Sequence, residues 1–240
     1  MEMETPRMAG HSNRRTFRPG FRYVVQRLAL FVVFAVILFV AAGSLDWFRG
    51  WLYLTCTLLM EAVTLGLLAK ARPETLHQRG VWHADVKPFD KVFAVVWLAL
   101  AMVTPVVAGL DKRFGWSSMS MATFYAGAVP LTVGFMFATW AMLENEHFEQ
   151  FVRIQTDRAH RVVTSGPYRI VRHPGYAGAI LGALSTPLML GSWWTFVPAG
   201  ALALLFITRT ALEDETLRRE LGGYEAYVQR TRYRLAPGIW

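Results

Sequence analysis

The sequence has little of what a disulfide-stabilised or nucleotide-binding soluble protein needs. Cysteine occurs once, as Cys56 inside an apolar run, which excludes a disulfide framework and indicates no thiol chemistry. A glycine-rich loop of the G-x-G-x-x-G type is absent, so the dinucleotide-binding fold that this loop typifies is not indicated. Only four of the 25 basic residues are Lys, a skew towards Arg that suggests a bacterial source with a GC-rich genome.

Charge is also scarce in long stretches of the chain, which contain Arg27, Glu61 or no charged residue, and 54% of all residues are hydrophobic. A helix needs about 20 apolar residues to cross the hydrocarbon core of a membrane. Four runs approach or exceed that length, namely 24–44, 51–69, 92–110 and 121–143. A further uncharged region, 176–208, is divided by Pro187 and by the turn at 191–194, and it predicts two helices of about 14–16 residues. We therefore predict an all-α, polytopic membrane bundle of about six spans that ends in a helical hairpin.

The net charge of +8 is explained by membrane topology, because no motif for binding nucleic acid is found. With six spans and the N-terminus inside, every Lys and Arg except Arg49, Lys112 and Arg113 lies on the cytoplasmic side. Such an asymmetry is the usual signature of cytoplasmic loops. We expect an integral protein of the bacterial inner membrane with both termini in the cytoplasm and with contacts to anionic lipids.

Three regions are predicted along the chain. Residues 1–22 form a basic, disordered tail, residues 23–143 a four-helix membrane region, and residues 144–240 a core that carries the candidate site. The start of the chain also has the composition of a secretory signal, with a cleavage site at 41–44. Cleavage there would remove the first span and upset the topology, which favours the membrane helix.

The most informative segment is 165–176, a polar and aromatic stretch directly before an apolar run. Pro174 suits the first turn of a helix, because its missing N–H would be unsatisfied there anyway. His173 then stands at a helix N-terminus, where free N–H groups and the helix dipole favour an anionic ligand group. This pattern predicts a site for a charged small molecule at the entrance to a membrane helix. The alternative is a basic interfacial loop that precedes an N-terminal proline.

A second group of charged residues follows the last apolar run. Arg209 and Glu213 are four residues apart and share one face of a helix that continues out of the membrane. Their position at the mouth of the hairpin that begins at His173 suggests a joint site. The alternative is an interfacial salt bridge worth a few tenths of a kcal/mol.

Two further polar features have structural interpretations. Glu61 lies within the second apolar run, where a charged side chain is costly, and it is expected to face the bundle interior. Glu144, Glu146, His147 and Glu149 could suggest a metal site, but the repeated His pairs of di-iron membrane enzymes are absent. We expect these four residues to be solvated at the membrane interface and predict no metal.

The C-terminal part of the chain resembles the isoprenylcysteine carboxyl methyltransferase and phospholipid methyltransferase superfamily over about residues 155–240. The matching motifs, in order, are Gly166-Pro167-Tyr168, Arg172-His173-Pro174-Gly175-Tyr176, Gly178, Arg209, Leu212-Glu213-Asp214, Gly223-Tyr224-Glu225-Ala226-Tyr227 and Tyr233-Arg234-Leu235-Ala236-Pro237-Gly238. The family usually has a second glutamate at the position of Asp214, which leaves the role of that carboxylate open.

The resemblance implies an S-adenosylmethionine-dependent methyl transfer to a lipophilic or lipidated acceptor, within a fold that has a cytoplasmic cofactor pocket. The residues at positions that contact the cofactor in the family are Gln155 (with a one-residue gap), His160, Val162, Val163, Tyr168, His173, Pro174, Gly175, Tyr176 and Glu213. Arg209 matches the position that engages the substrate in the carboxyl methyltransferases. The candidate catalytic residues are Arg172, His173, Arg209 and Glu213.

These residue types suit methyl transfer from a sulfonium. The faces of Tyr168 and Tyr176 attract a cation, and the N–H groups at 173–175 suit the carboxylate of the cofactor. Arg209 could orient an acceptor carboxylate, which needs no base, whereas a thiol or amine would need one, with His173 or Asp214 as the nearest candidate.

Two other functions remain open at this point. Membrane sterol reductases, which use a reduced nicotinamide cofactor, resemble the same superfamily in the C-terminal hairpin but typically have more than six spans. A non-catalytic scaffold or transporter is the other alternative, and it leaves the clustering of Arg209, Glu213, His173 and the tyrosines without a cause.

Overall fold

The computed structural model describes residues 17–81 and 85–240, and the regular structure within those residues is entirely helical. The helices are α1 (Phe17–Ala42), α2 (Phe48–Ala71), α3 (Pro73–Gln78), α4 (Pro88–Phe114), α5 (Met121–Glu144), α6 (Pro174–Leu190), α7 (Phe196–Glu220) and α8 (Tyr224–Arg230). Two single turns of 3-10 helix, Thr156–Arg158 and Gly166–Arg169, lie in the long connection between α5 and α6. The predicted all-α membrane fold is confirmed.

Five of the described helices, α1, α2, α4, α5 and α7, are long and apolar enough to cross a membrane. Helix α6 has 17 residues, which is close to the shortest length that spans a bilayer. It forms the predicted hairpin with α7. Helix α7 has 25 residues because, after its uncharged part, it continues without a break past Arg209 to Glu220, as the sequence predicts.

The start of α1 differs from the sequence prediction. Residues 17–22 of the predicted disordered tail belong to this helix, while residues 1–16 lie outside the described residues. The apolar run after residue 23 is extended upstream because no residue there breaks a helix. Pro19 stands in the first turn, where a missing backbone N–H costs nothing.

Glycines allow the closest helix contacts of the bundle. A Cβ placed on Gly178 of α6 would lie 2.3 Å from the carbonyl oxygen of Gly134 on α5, and the reverse substitution would place a Cβ 2.6 Å from the Gly178 oxygen. Gly109 of α4 approaches α1 in the same way, 2.6 Å from the Leu38 oxygen. Small residues of this kind let membrane helices approach at backbone distance. The contact between α5 and α6 fixes the position of α6 relative to α5, and thus where His173 stands.

Polar side chains within the bundle are paired. Glu61 of α2 accepts two hydrogen bonds from Arg27 of α1, at 2.7 and 3.0 Å, so the costly carboxylate anticipated from the sequence has a partner in the first helix. Thr64 and Thr139 join α2 to α5 through a 2.7 Å hydrogen bond. A membrane has no water to satisfy such groups, and internal pairing is therefore the expected solution.

Three connecting regions meet at one end of the bundle. Lys87, just before α4, donates its backbone N–H to the Val152 oxygen at 3.1 Å and pairs with Glu220 at the end of α7. Arg153 forms ion pairs with Asp85. The connection between α3 and α4, the connection between α5 and α6, and the C-terminal segment therefore build a single polar cap on the bundle. The candidate site lies in this cap.

Candidate active site

A cavity opens in the polar cap, between the end of α5, the connection that follows it, the first turn of α6, the end of α7 and α8. Its empty space amounts to about 800 Å³ when the part that is open to solvent is included. The structure brings all ten candidate cofactor residues to the wall of this one cavity: Gln155, His160, Val162, Val163, Tyr168, His173, Pro174, Gly175, Tyr176 and Glu213. Of the four candidate catalytic residues, Arg172, His173 and Glu213 line it, whereas Arg209 does not.

The first turn of α6 forms one side of the cavity. His173 is the N-cap residue and Pro174 occupies the first helical position, as the sequence predicts. The N–H of His173 donates to the Arg234 oxygen at 2.9 Å, and Pro174 has no N–H, so the amide that this turn offers to an anion is that of Gly175. A Cβ on Gly175 would lie 2.6 Å from the ring of Phe148, which explains the glycine at this position.

Tyr168 and Tyr176 lie on opposite parts of the wall and differ in their surroundings. The hydroxyl of Tyr168 accepts a hydrogen bond from the Asn145 side chain at 3.2 Å, and burial raises the pKa of this phenol, which keeps it neutral. Tyr176 stacks on His173 with ring centroids 5.8 Å apart and donates its hydroxyl to Glu213. The Arg209 guanidinium lies 5.1 Å from the centroid of the Tyr176 ring, so this ring already attracts one cation before any ligand binds.

Asp214 is the centre of a buried cluster of charges behind the cavity wall. Its side chain is fully buried and accepts hydrogen bonds from Arg172 at 2.7 and 3.0 Å, from Arg234 at 2.9 Å and from the Tyr224 hydroxyl at 2.9 Å. His173 Nε2 lies 3.3 Å from the same carboxylate. These contacts give the aspartate a structural role in holding Arg172 and the C-terminal segment in place. With its oxygens occupied in this way, Asp214 is a poor candidate for the base considered from the sequence.

Arg172 lines the cavity, but its donors are engaged within the protein. Nε and Nη2 donate to Asp214, and Nη1 donates to the backbone oxygens of Thr231 at 2.9 Å and Arg232 at 2.6 Å. The Arg172 backbone N–H donates to the Tyr233 oxygen at 2.9 Å. The residue therefore joins the start of α6 to the C-terminal segment, and this geometry favours a positioning role over contact with a substrate.

The connection after α5 supplies the other side of the cavity, and here the sequence analysis was partly wrong. His147 and the side chain of Glu149 are buried rather than solvated, since His147 Nδ1 lies 3.2 Å from Gln155 Oε1 and Glu149 pairs with Arg153 at 2.8 Å. His147 also lines the cavity, which its place in an acidic segment did not reveal. No cluster of three potential metal ligands occurs in the part of the chain that the structure describes.

His160 contacts this group and is kept uncharged. Its ring lies 4.6 Å from that of His147, and its Nδ1 accepts the Gln155 N–H at 3.3 Å. Burial lowers the pKa of His160 to about 4, and the charges of Arg153 and Arg158 act in the same direction. At neutral pH this wall of the cavity thus offers a neutral imidazole.

Arg209 lies behind the Tyr176 ring and faces a separate apolar cleft between α4 and α7. The cleft is lined by Phe89, Val92, Phe93, Leu205, Thr208, Arg209 and Leu212. The guanidinium is sandwiched between aromatic rings, 4.1 Å from the Phe93 centroid and 5.1 Å from that of Tyr176. The joint site expected from the sequence is therefore divided, with Tyr176 as the partition between cavity and cleft.

The partner of Arg209 is Asp90, a residue that sequence reasoning missed. Asp90 Oδ1 lies 2.8 Å from Arg209 Nε, and Oδ2 accepts hydrogen bonds from Arg209 Nη2 at 2.9 Å and from the Val152 N–H at 2.6 Å. In sequence, an aspartate directly after Pro88-Phe89 has the ordinary pattern of a helix N-terminus, and it lies 119 residues from Arg209. Only the packing of α4 against α7 reveals the pair.

The region of the chain that forms the cavity is similar in sequence to known proteins. The model of the phospholipid methyltransferase family matches residues 122–223. A probable protein-S-isoprenylcysteine O-methyltransferase of Oryza sativa subsp. japonica is 29% identical over 109 residues, which is 44% of this chain and 57% of that protein. The protein-S-isoprenylcysteine O-methyltransferase of Schizosaccharomyces pombe is 32% identical over 103 residues, 42% of this chain and 44% of that protein. The matched segment thus covers about half the length of these relatives.

Two further similarities bear on the fold and on the alternatives. A probable 7-dehydrocholesterol reductase of Acanthamoeba polyphaga mimivirus is 32% identical over 89 residues, 35% of this chain and 20% of that protein. The structure of a eukaryotic intramembrane Ras methyltransferase, the isoprenylcysteine carboxyl methyltransferase, superposes with a TM-score of 0.52 at 19% identity, covering 90% of this chain and 86% of that one. Motif order and sequence relatives agree for the C-terminal part of the chain, which is similar to phospholipid methyltransferases and isoprenylcysteine O-methyltransferases, while the fold of the whole chain resembles that of the intramembrane Ras methyltransferase.

Proposed function

We propose that this protein is an S-adenosylmethionine-dependent methyltransferase that acts on a lipophilic acceptor at the cytoplasmic face of the membrane. The observation that carries the proposal is the convergence of ten residues, spread from Gln155 to Glu213 in sequence, on a single cavity. The chemistry of the wall fits the cofactor, since it combines a carboxylate, neutral aromatic rings and a helix N-terminus. Bound there, S-adenosylmethionine would supply an electrophilic methyl group.

The chain would bind and orient the two reactants. Glu213, already linked to the Tyr176 hydroxyl, lies where it can accept hydrogen bonds from a cationic or hydroxyl-bearing ligand. The Gly175 amide at the start of α6 suits a ligand carboxylate. Holding the nucleophile and the methyl group in line accounts for most of the rate enhancement that we expect. Positioning of this kind lowers the activation free energy by up to about 7–11 kcal/mol.

The acceptor would approach from the membrane. The cleft beside Arg209 is lined by Phe89, Val92, Leu205 and Leu212, and its apolar walls suit a hydrocarbon chain. The relatives are named as methyltransferases of protein-S-isoprenylcysteine and of phospholipid, which are the acceptors of those proteins. For this protein we propose an amphiphilic acceptor whose hydrocarbon tail stays in the lipid and whose reacting group reaches Tyr176.

Cofactor binding is the first test. We expect the purified protein to bind S-adenosylhomocysteine with about micromolar affinity and NADPH not to compete. Replacing Glu213→Gln should weaken binding about tenfold or more, because a charge-assisted hydrogen bond is lost. The matched control is Glu215→Gln on the same helix, whose exposed pair with Arg219 should make a difference of less than about twofold.

Titration calorimetry in detergent makes this measurement and separates the candidate functions. The similarity to a 7-dehydrocholesterol reductase gives the reductase alternative a specific basis. Binding of NADPH with no binding of S-adenosylhomocysteine would favour that reductase over the methyltransferase. Binding of neither ligand by folded protein would favour a scaffold or transporter.

Topology is the second test. The connection between α3 and α4, the connection between α5 and α6, and the C-terminal segment meet in one cap, and we propose that this cap is cytoplasmic, as the distribution of Lys and Arg indicates. In a protein with Cys56 replaced by Ser, cysteines at Ser12 and Ile239 should resist an impermeant reagent in intact cells, whereas one at the exposed Ser118 should react. Labelling at only one terminus would contradict an even number of spans.

A further inference from the structure

The Asp90–Arg209 pair lies behind the Tyr176 ring, beside the cleft through which we propose that the acceptor approaches. Asp90 is fully buried and Arg209 is 7% exposed, so water contributes little to either charge. Asp90 Oδ1 and Arg209 Nε are 2.8 Å apart but poorly aligned, and neither has a hydrogen bond within the described residues. The pair is therefore held by charge, by the Nη2 contact and by the enclosing rings of Phe93 and Tyr176.

The donors of Arg209 are largely used within the protein. Nη2 donates to Asp90 Oδ2 at 2.9 Å and to the Gln150 backbone oxygen at 2.7 Å, while Nε faces the other Asp90 oxygen. A bidentate clamp on a second carboxylate needs two nitrogens on one edge of the guanidinium. Only Nη1 is left for an incoming ligand, so such a clamp cannot form while Asp90 is in place.

The charges around the site also disfavour an anion. Asp90 neutralises Arg209, and Glu213 lies close enough to act electrostatically on both residues. These three groups together carry one negative charge. A carboxylate brought into the same desolvated space would face that charge without a free protein cation, so only the sulfonium of the cofactor would offset the repulsion between like charges.

We infer that Asp90 is a specificity-determining residue that excludes free carboxylates and selects an acceptor with no negative charge, namely a lipophilic thiol or amine. This inference rests on the proposed methyl transfer and names the acceptor class for it. It excludes the carboxylate, one of the three acceptor classes that the sequence leaves open. Arg209, held by Asp90, then positions the Tyr176 ring rather than clamping the substrate.

The reaction balances for such an acceptor. The electron pair of the acceptor sulfur or nitrogen forms the new bond to the methyl carbon, and the pair from the broken bond stays on the sulfur of the leaving S-adenosylhomocysteine. The acceptor loses one proton for each methyl group gained. Glu213, the carboxylate on the cavity side of Tyr176, is placed to accept it.

Three amphiphiles of equal chain length test the inference: dodecanethiol, dodecylamine and dodecanoate. Methyl transfer from labelled S-adenosylmethionine is measured for the full-length wild-type protein in lipid nanodiscs. The value of kcat/KM should be at least about tenfold higher for the thiol or the amine than for dodecanoate. Methylation of dodecanoate alone, or of none of the three by a protein that binds S-adenosylhomocysteine, would overturn the inference. Absence of S-adenosylhomocysteine binding would instead overturn the proposed function.

The variant Asp90→Asn tests the residue itself. Asn keeps the shape and the oxygen that accepts the Val152 N–H but removes the negative charge. It should raise kcat/KM for dodecanoate relative to dodecanethiol by about tenfold, with S-adenosylhomocysteine affinity unchanged within about twofold. The control Glu74→Gln removes an exposed charge from the first turn of α3 and should leave the ratio unchanged. If Asp90 had only a structural role, Asp90→Asn would lower kcat/KM equally for all three acceptors, and that result would contradict a role in specificity. If Asp90→Asn does not fold, the ranking of the three acceptors by the wild-type protein still tests the inference.

Discussion

Replacing Asp214 by Ala should cost about 4 kcal/mol of unfolding free energy, the largest loss we expect from a single substitution in the cap. The Arg172 side chain is 2% exposed, and its guanidinium would be left without a counter-ion. Arg234 would lose the same partner. The cost of an uncompensated buried charge exceeds the value of the pair itself. Because the Arg172 contacts hold the start of α6 against the C-terminal segment, S-adenosylhomocysteine binding should fall with stability.

Thermal or denaturant unfolding in detergent measures this effect, and Glu215→Ala on the same helix is its control. Glu215 pairs with Arg219 at 2.6 Å, but both side chains are at least half exposed, so we expect a change of less than about 0.5 kcal/mol. Equal stability of the two variants would show that the buried cluster contributes no more to the unfolding free energy than the exposed pair does. Asp214→Glu is informative as well, because it restores the residue usual in the family and tests whether the cluster accepts one more methylene group.

Replacing Gly178 by Ala should cost about 3 kcal/mol and displace the first turn of α6. The added Cβ would lie 2.3 Å from the Gly134 carbonyl oxygen, a backbone atom that cannot move aside without shifting α5. His173, Gly175 and Tyr176 lie within about one and a half turns before this contact. The affinity for S-adenosylhomocysteine should therefore decrease more than the loss of stability alone explains.

The control for Gly178→Ala is Gly200→Ala in α7. No atom outside its own helix lies within 4 Å of a Cβ at Gly200, so the substitution should be neutral or stabilise the helix by up to about 1 kcal/mol. Both variants add the same methyl group to a glycine in a membrane helix, and they differ only in what that methyl group meets. Comparable stability of the two would contradict the close α5–α6 contact.

The sequence by itself determined the fold class, the family resemblance and ten candidate cofactor residues that the structure places around the cavity. Uncharged runs of membrane length require helices, because a backbone in lipid must satisfy its hydrogen bonds internally. Pro174 after His173 determined where α6 begins, since proline is accommodated at the first helical position. The ordered motifs from Tyr168 to Glu213 identified residues that the structure places on the wall of one cavity. These signals are local, and local signals are visible in a single sequence.

Tertiary structure alone decided which charges meet. Asp90 and Arg209 are 119 residues apart, and Arg172 and Asp214 are 42 apart, so neither pairing follows from helical spacing. The solvated acidic segment predicted around His147 is partly buried because the connection after α5 folds back over the cavity. Helix packing likewise places the Tyr176 ring between Arg209 and the cavity, which divides a site that the sequence treats as one. Ion pairs over such separations depend on how helices pack, and burial then determines whether a charge is available to a ligand or already neutralised.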